Sequence, residues 1–227
     1  MNQNSLNPRL KKIAQLVPPN ACTADIGTDH AYIPIVLVDS GRAKRAIASD
    51  IKRGPIGRAE ENIRKNGFGD KIETRLGAGL QTLEEGEAEV IIVAGMGGIL
   101  ISDILENSRA VVCSAKLLIL QPMTAVVELR EYLCKKGYEI VEEHLEAEEE
   151  KLYNIIVAKP CGSTDYSQKE LYLGRGLEDT SPQLFGRYKA AVLTKLNRRA
   201  CGLEKSETEE NKEELKKIRE LIEVLEQ

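Results

Sequence analysis

The stretch Tyr138-Glu-Ile-Val-Glu-Glu-His-Leu145, then Glu146-Ala-Glu-Glu-Glu-Lys151, then Leu152-Tyr-Asn-Ile-Ile-Val-Ala-Lys159 decides the fold. Two strand-like runs are separated by only six residues. A connection that short cannot carry a crossover helix, so the runs pair as an antiparallel hairpin at a sheet edge. Upstream the pattern differs. Residues 21–26, 45–49, 71–76, 88–94 and 117–121 read as buried strands. Helical periodicity lies between most of them, over 31–39, 57–66, 99–107 and 124–136. An opening helix places Leu6, Leu10, Ile13 and Val17 on one face, with Asn7 as N-cap and Pro8 at the first helical position. Strands alternating with helices of this length form right-handed crossovers and a parallel sheet. Adding the hairpin predicts seven strands, the last one antiparallel.

That count is the architecture of class I S-adenosylmethionine (SAM) methyltransferases, a likeness of fold that does not by itself carry a function. Residues 1–160 form this α/β domain. Residues 161–181 read as an irregular connector, and 182–227 as an antiparallel, coiled-coil-like helical hairpin turning at Ser206-Glu207-Thr208-Glu209.

Composition narrows the class. The chain has 227 residues, 32 Lys plus Arg against 36 Asp plus Glu, and a net charge of −4. Its apolar runs fall far short of the roughly 18–20 residues that cross a bilayer. Met1-Asn2-Gln3-Asn4 leads straight into an amphipathic pattern, unlike a signal peptide. The five cysteines (Cys22, Cys113, Cys134, Cys161, Cys201) are odd in number, with no C-x-x-C pair. They point to the cytoplasm and to small buried hydrophobes rather than a disulfide framework. With two histidines in the chain, no metal site is expected. The oligomeric state is not legible.

Five segments at the carboxyl ends of the strands carry chemistry, where an open α/β sheet forms its crevice. Asp25-Ile26-Gly27-Thr28-Asp29-His30 ends the first strand. Asp25 suits a cationic ammonium through charge-assisted hydrogen bonds; the bland alternative is a helix-capping Asp. Asp50, in Ala48-Ser49-Asp50-Ile51, stands about 20 residues past the glycine turn, where an acid meets a ribose diol. Gly77-Ala78-Gly79-Leu80 follows the third strand, where adenine would lie, without a side-chain acceptor. Ala94-Gly95-Met96-Gly97-Gly98 leaves space at the centre of the sheet. Gln121, before Pro122 and Met123, offers a donor and an acceptor to a base edge, or is a simple strand-end residue. The dinucleotide fingerprint G-x-G-x-x-G is absent, which disfavours a nicotinamide enzyme.

Together, D-I-G-T-D-H-A-Y-I-P (25–34), A-S-D-I followed by Gly54-Pro55, I-I-V-A-G-M-G-G (91–98) and L-I-L-Q-P (118–122) resemble the TrmK-type tRNA (adenine-22-N1)-methyltransferases. The resemblance covers Arg9 to about Pro160. It implies SAM as cofactor, tRNA as partner and N1 of one adenine as acceptor. It also implies a cofactor site of Arg9, Asp25, Gly27, Asp29, His30, Asp50, Ile51, Gly77, Ala78, Gly79, Leu80, Ala94, Gly95 and Met96. Asp29, Tyr32 and Gln121 are the candidate catalytic residues: Asp29 as an anion near the developing cation, Tyr32 and Gln121 toward the target base. Met123, Ala78 and Asn154 stand where the family usually has Asn, Asp or Asn, and Glu. The rival classes are a SAM enzyme with another acceptor and a non-catalytic binding module on the same fold.

Basic residues cluster between Arg42 and Arg75 and between Arg187 and Arg199. Arg53, Arg58, Arg187, Lys195, Arg198 and Arg199 are the candidate RNA contacts, since a negative total does not forbid local positive potential. The acidic runs 84–89 and 142–150 are expected away from RNA. With aromatics at 4% and no Trp, tRNA should be read by shape and phosphate rather than by a stacking platform.

Overall fold

The computed structural model describes residues 6–204 and 208–227; Met1–Asn4 and the Ser206-Glu207 turn lie outside them. The chain divides into two compact units, the second beginning at Asp165. In the first, β1 (Ala21–Ile26), β2 (Ala43–Asp50), β3 (Ile72–Leu76), β4 (Val90–Gly97), β5 (Leu117–Thr124), β6 (Glu139–Glu148) and β7 (Lys151–Lys159) form one sheet, in the order β3-β2-β1-β4-β5-β7-β6. β1 to β5 run parallel, while β7 lies antiparallel to both its neighbours.

The helices are α1 (Pro8–Leu16), α2 (Tyr32–Asp39), α3 (Arg53–Lys65), α4 (Gly98–Glu106), α5 (Arg109–Ser114) and α6 (Val126–Lys135). Asn7 caps α1 through a bond from Leu10 N (2.9 Å), and Pro8 needs no partner for its nitrogen. One core layer joins Ile13, Val36, Leu37 and Ile63 to the sheet face of Ala46, Ile92 and Ile119. The other joins Ile101, Leu105, Val112, Leu129 and Leu133 to Ala24, Ile91, Val93 and Leu118. Each buried Leu or Ile contributes about 1.5–3 kcal/mol, which fixes both faces of the sheet and leaves its carboxyl edge open.

The β3–β4 connection, where the sequence shows no helical periodicity, holds only a short 3-10 turn, Gly79–Thr82. Two expectations change. The hairpin connection is two residues rather than six: Glu146, Ala147 and Glu148 extend β6, and Glu148 pairs with Lys151. Pairing satisfies their backbone groups, at the cost of a left-handed Glu149 (φ 53°) in the turn. The cysteines are not buried either: Cys113, Cys161 and Cys201 are exposed, and Cys22 and Cys134 are half-buried.

The first unit runs on to Thr164, whose hydroxyl donates to Tyr138 O (3.0 Å) and accepts from Ile140 N (2.7 Å). The second unit, expected to begin with an irregular connector, has two short helices there: α7 (Gln168–Leu173) and α8 (Leu177–Thr180). Ser167 and Glu170 form a capping box on α7. The long helices α9 (Pro182–Leu203) and α10 (Glu209–Glu226) lie antiparallel, held by Tyr188, Leu196, Ile218, Leu221 and Leu225 and by the Arg199–Glu214 ion pair. Among the described residues no helix is long and apolar enough to cross a membrane.

Candidate active site

Parallel strands bring their carboxyl ends to one edge, and the order β2-β1-β4 puts the topological switch point between β1 and β4. A cleft of about 330 Å³ opens there. Arg9, Asp25, Gly27, Thr28, Asp29, His30, Tyr32, Ala94 and Gly95 line it, so eight residues singled out in the sequence meet in one place.

The β1–α2 loop is held from several sides. Gly27 N and Thr28 N both donate to Ser49 O (2.8 and 2.9 Å). Thr28 Oγ1 accepts from Ala31 N (3.2 Å), and Asn62 Nδ2 on α3 donates to His30 O (3.1 Å). Gly27 takes φ +81°, and a Cβ there would stand 2.1 Å from Met96 Cε. Ala31 caps α2 in the left-handed region (φ 54°), a strained conformation maintained by this scaffold.

Asp25 does not cap a helix. It is 7% exposed, and burial raises its pKa to about 6, with the Asp50 charge adding to the rise and the Thr28 hydroxyl opposing it. Among the described residues no cation pairs with it, and a buried acid of that kind suits a ligand that brings a positive charge. Asp29 has the opposite environment. It is 60% exposed and bonded to Arg58, which holds its carboxyl below the usual range, and His30 Nε2 lies 3.3 Å from it. His30 in turn stacks on Tyr32, with ring centroids 5.0 Å apart and planes within 7°.

Gln121 requires a correction. It is 0% exposed, and both ends of its amide are engaged. Oε1 accepts from Arg9 Nη1 and Gly95 N, and Nε2 donates to Pro122 O (2.9 Å) and contacts Met123 Sδ (3.6 Å). Its amide is enclosed and holds Gly95 and Arg9 in place. Leu80 is likewise core rather than cleft wall, 1% exposed.

The β2–β3 side adds the remaining residues. Asp50 accepts from Lys52 N (2.8 Å) and its carbonyl from Gly77 N (3.0 Å). Ala78 and Gly79 lead into the 3-10 turn, where a Cβ on Gly79 would press on Ile104 (3.2 Å). Ile51 is 65% exposed and Leu76 49%, an apolar ledge beside Asp50. Leu76 was missed in the sequence because an apolar strand residue reads as core. Thr28 was missed for want of any pattern.

Of the candidate RNA contacts, Arg53 is exposed at the start of α3, and Arg58 is spent on Asp29. On α9, Lys195 and Arg198 are exposed without an ion-pair partner among the described residues, Arg187 is exposed, and Arg199 is paired with Glu214. Glu89 binds Cys22 N, Lys44 and Lys116 at the amino ends of the strands, away from the cleft. Glu148, in the other acidic run, comes back to the cleft and pairs with Arg9 (3.2 Å).

Comparison with known proteins agrees with this arrangement. Residues 6–156 match the family model for a methyltransferase domain. The tRNA (adenine(22)-N(1))-methyltransferase of Bacillus subtilis is 35% identical over 99% of this chain and 97% of its own length. The crystal structure of the B. subtilis m1A22 tRNA methyltransferase TrmK superposes with a TM-score of 0.89 at 33% identity, covering 98% of this chain and 97% of that one. Streptococcus pneumoniae Sp1610 in complex with S-adenosyl-L-methionine gives a TM-score of 0.81 at 33% identity, over 94% of this chain and 98% of that one. Alike from end to end in sequence and in structure, the chain belongs to the tRNA (adenine(22)-N(1))-methyltransferase family.

Proposed function

We propose that this protein methylates N1 of adenine 22 in tRNA, with SAM as methyl donor, in the cytoplasm. The observation that carries the reading is the cleft itself: a buried, cation-seeking Asp25 and the half-committed guanidinium of Arg9 line it together with an ionised Asp29 and a stacked His30–Tyr32 pair. The residues fit the cofactor. Asp25 would hold its ammonium, Arg9 its carboxylate and Asp50 its ribose diol, with Ile51 and Leu76 against its adenine. Gly27 leaves the room that a side chain would take.

SAM, when bound, supplies an electrophilic methyl group. Adenine N1 carries its own lone pair, so the protein's work is positioning rather than deprotonation. Arg58 keeps Asp29 anionic, and that anion favours the positive charge that grows on the base as N1 is alkylated. Tyr32, stiffened by its stack on His30, presents an aromatic face to an everted base. Residues 1–160 carry the chemistry; in 161–227, Arg187, Lys195 and Arg198 offer charge to tRNA phosphates, as does Arg53 in the first domain, while Arg58 and Arg199 are engaged by Asp29 and Glu214.

The test is methylation of tRNA bearing adenine 22 and of tRNA with guanine there, read as 1-methyladenosine by nucleoside mass spectrometry. Product from the first alone supports the reading; product from neither overturns it. The Asp29→Ala protein should bind SAM in calorimetry yet lose turnover, and normal turnover would remove the role given to Asp29.

A further inference from the structure

The β6–β7 hairpin closes the sheet far from the switch point, yet its tip reaches the cleft. Arg9 Nε donates to Glu148 Oε1 (3.2 Å) and Nη1 to Gln121 Oε1, and the guanidinium carbon stands 5.1 Å from the Tyr153 ring centroid. Nη2 has no partner among the described residues. Three elements therefore grip one side chain: β5 through Gln121, β6 through Glu148 and β7 through Tyr153. Beside the tip lies a recess of about 490 Å³ lined by Asn7, Pro8, Glu148 and Tyr153, so half-buried Glu148 borders open space while Tyr153 is buried at its wall.

A long arginine loses much rotamer freedom when it takes a ligand, unless the protein has already fixed it. Fixing two nitrogens and one face while leaving a third nitrogen unspent is that arrangement. We propose that Glu148 and Tyr153 are positioning residues that act through Arg9, presenting its remaining nitrogen to the cofactor carboxylate, so that the hairpin tip sets cofactor affinity. This rests on the reading that the cleft takes SAM. Charge alone gives the opposite sign: Glu148 partly neutralises Arg9, and removing it would strengthen attraction to a carboxylate. The sign of the effect therefore separates positioning from bulk electrostatics.

The experiment is calorimetric titration of the full chain with SAM and with S-adenosylhomocysteine, alongside thermal unfolding of each variant. Glu148→Ala and Tyr153→Leu should weaken binding about fivefold to tenfold, whereas Tyr153→Phe, which keeps the ring, should stay within about twofold. In an Arg9→Ala background the same substitutions should cost nothing further, because the residue they act through is gone. Glu148→Ala binding as tightly as the parent, or more tightly, overturns the proposal. So do losses that persist undiminished in the Arg9→Ala background, which would mark a structural role. A parent protein that binds neither ligand overturns the cofactor reading, and this inference with it; a parent that binds beside unaffected variants overturns this inference alone.

Discussion

Titrating SAM affinity between about pH 5 and about pH 7.5 reads the charge of one buried side chain, Asp25. Burial raises its pKa from 3.8 to about 6. At about pH 7 roughly nine-tenths of such a group is ionised, and at about pH 5 roughly one-tenth. A ligand whose ammonium needs the carboxylate therefore loses about tenfold in affinity over those two units, or about 1.4 kcal/mol. The free protein responds in the opposite sense. Its folded state holds the Asp25 proton more tightly than the unfolded chain does. That contribution to stability is complete below about pH 4 and is lost as pH rises through about 6. The thermal shift produced by SAM should accordingly widen from about pH 5 to about pH 7, and calorimetry in buffers of different ionisation enthalpy should show proton release on binding near about pH 6. Asp25→Asn should bind weakly with a flat profile. A pH-independent parent, or an Asp25→Asn protein that keeps the tenfold slope, would refute the assignment.

Other outcomes follow from the same geometry. Arg130 and Glu143 form a fully buried pair (2.8 Å), with Asn154 accepting from the same guanidinium (3.0 Å). Glu143→Gln or Arg130→Met should cost about 3–5 kcal/mol in urea unfolding, and a loss below about 1 kcal/mol would show the pair to be dispensable. A Cβ on Gly98 would lie 2.1 Å from Ala125 O, whereas nothing stands near one on the helical Gly57. Gly98→Ala should lower the melting temperature by the equivalent of about 1–3 kcal/mol, and Gly57→Ala should raise stability by about 0.5–1 kcal/mol; equal effects would contradict the contact. Replacing Lys195 and Arg198 together by Ala should flatten the slope of log affinity for tRNA against log salt by about one to two, with SAM binding unchanged. An unaltered slope would place the phosphate contacts elsewhere.

Periodicity made most of the first unit legible. The boundaries of β1 and the caps of α1 follow from Asn7, Pro8 and the Pro18-Pro19 stop, because both are local effects of backbone geometry. The carboxyl-end acids Asp25, Asp29 and Asp50 were legible too, because the topology of a parallel sheet dictates where its crevice opens. Even the missed helix α7 carried a local signal, the Ser167-x-x-Glu170 capping box followed by Gly174. What the chain alone could not disclose was which polar groups are already used. Gln121 reads as a base reader, and only packing shows its amide consumed by Arg9, Gly95 and Pro122. Glu148 reads as one acid in a solvated run, and only the two-residue hairpin turn brings it to Arg9. Arg58 reads as a phosphate contact and is found fixing the charge of Asp29. The sequence by itself determined the layers, the strand directions and the edge where chemistry takes place, since these depend on short-range periodicity and chain connectivity. The tertiary structure decided the charge state and accessibility of each side chain there, since desolvation and pairing depend on neighbours distant along the chain, 29 residues for Asp29 and Arg58 and 139 for Arg9 and Glu148.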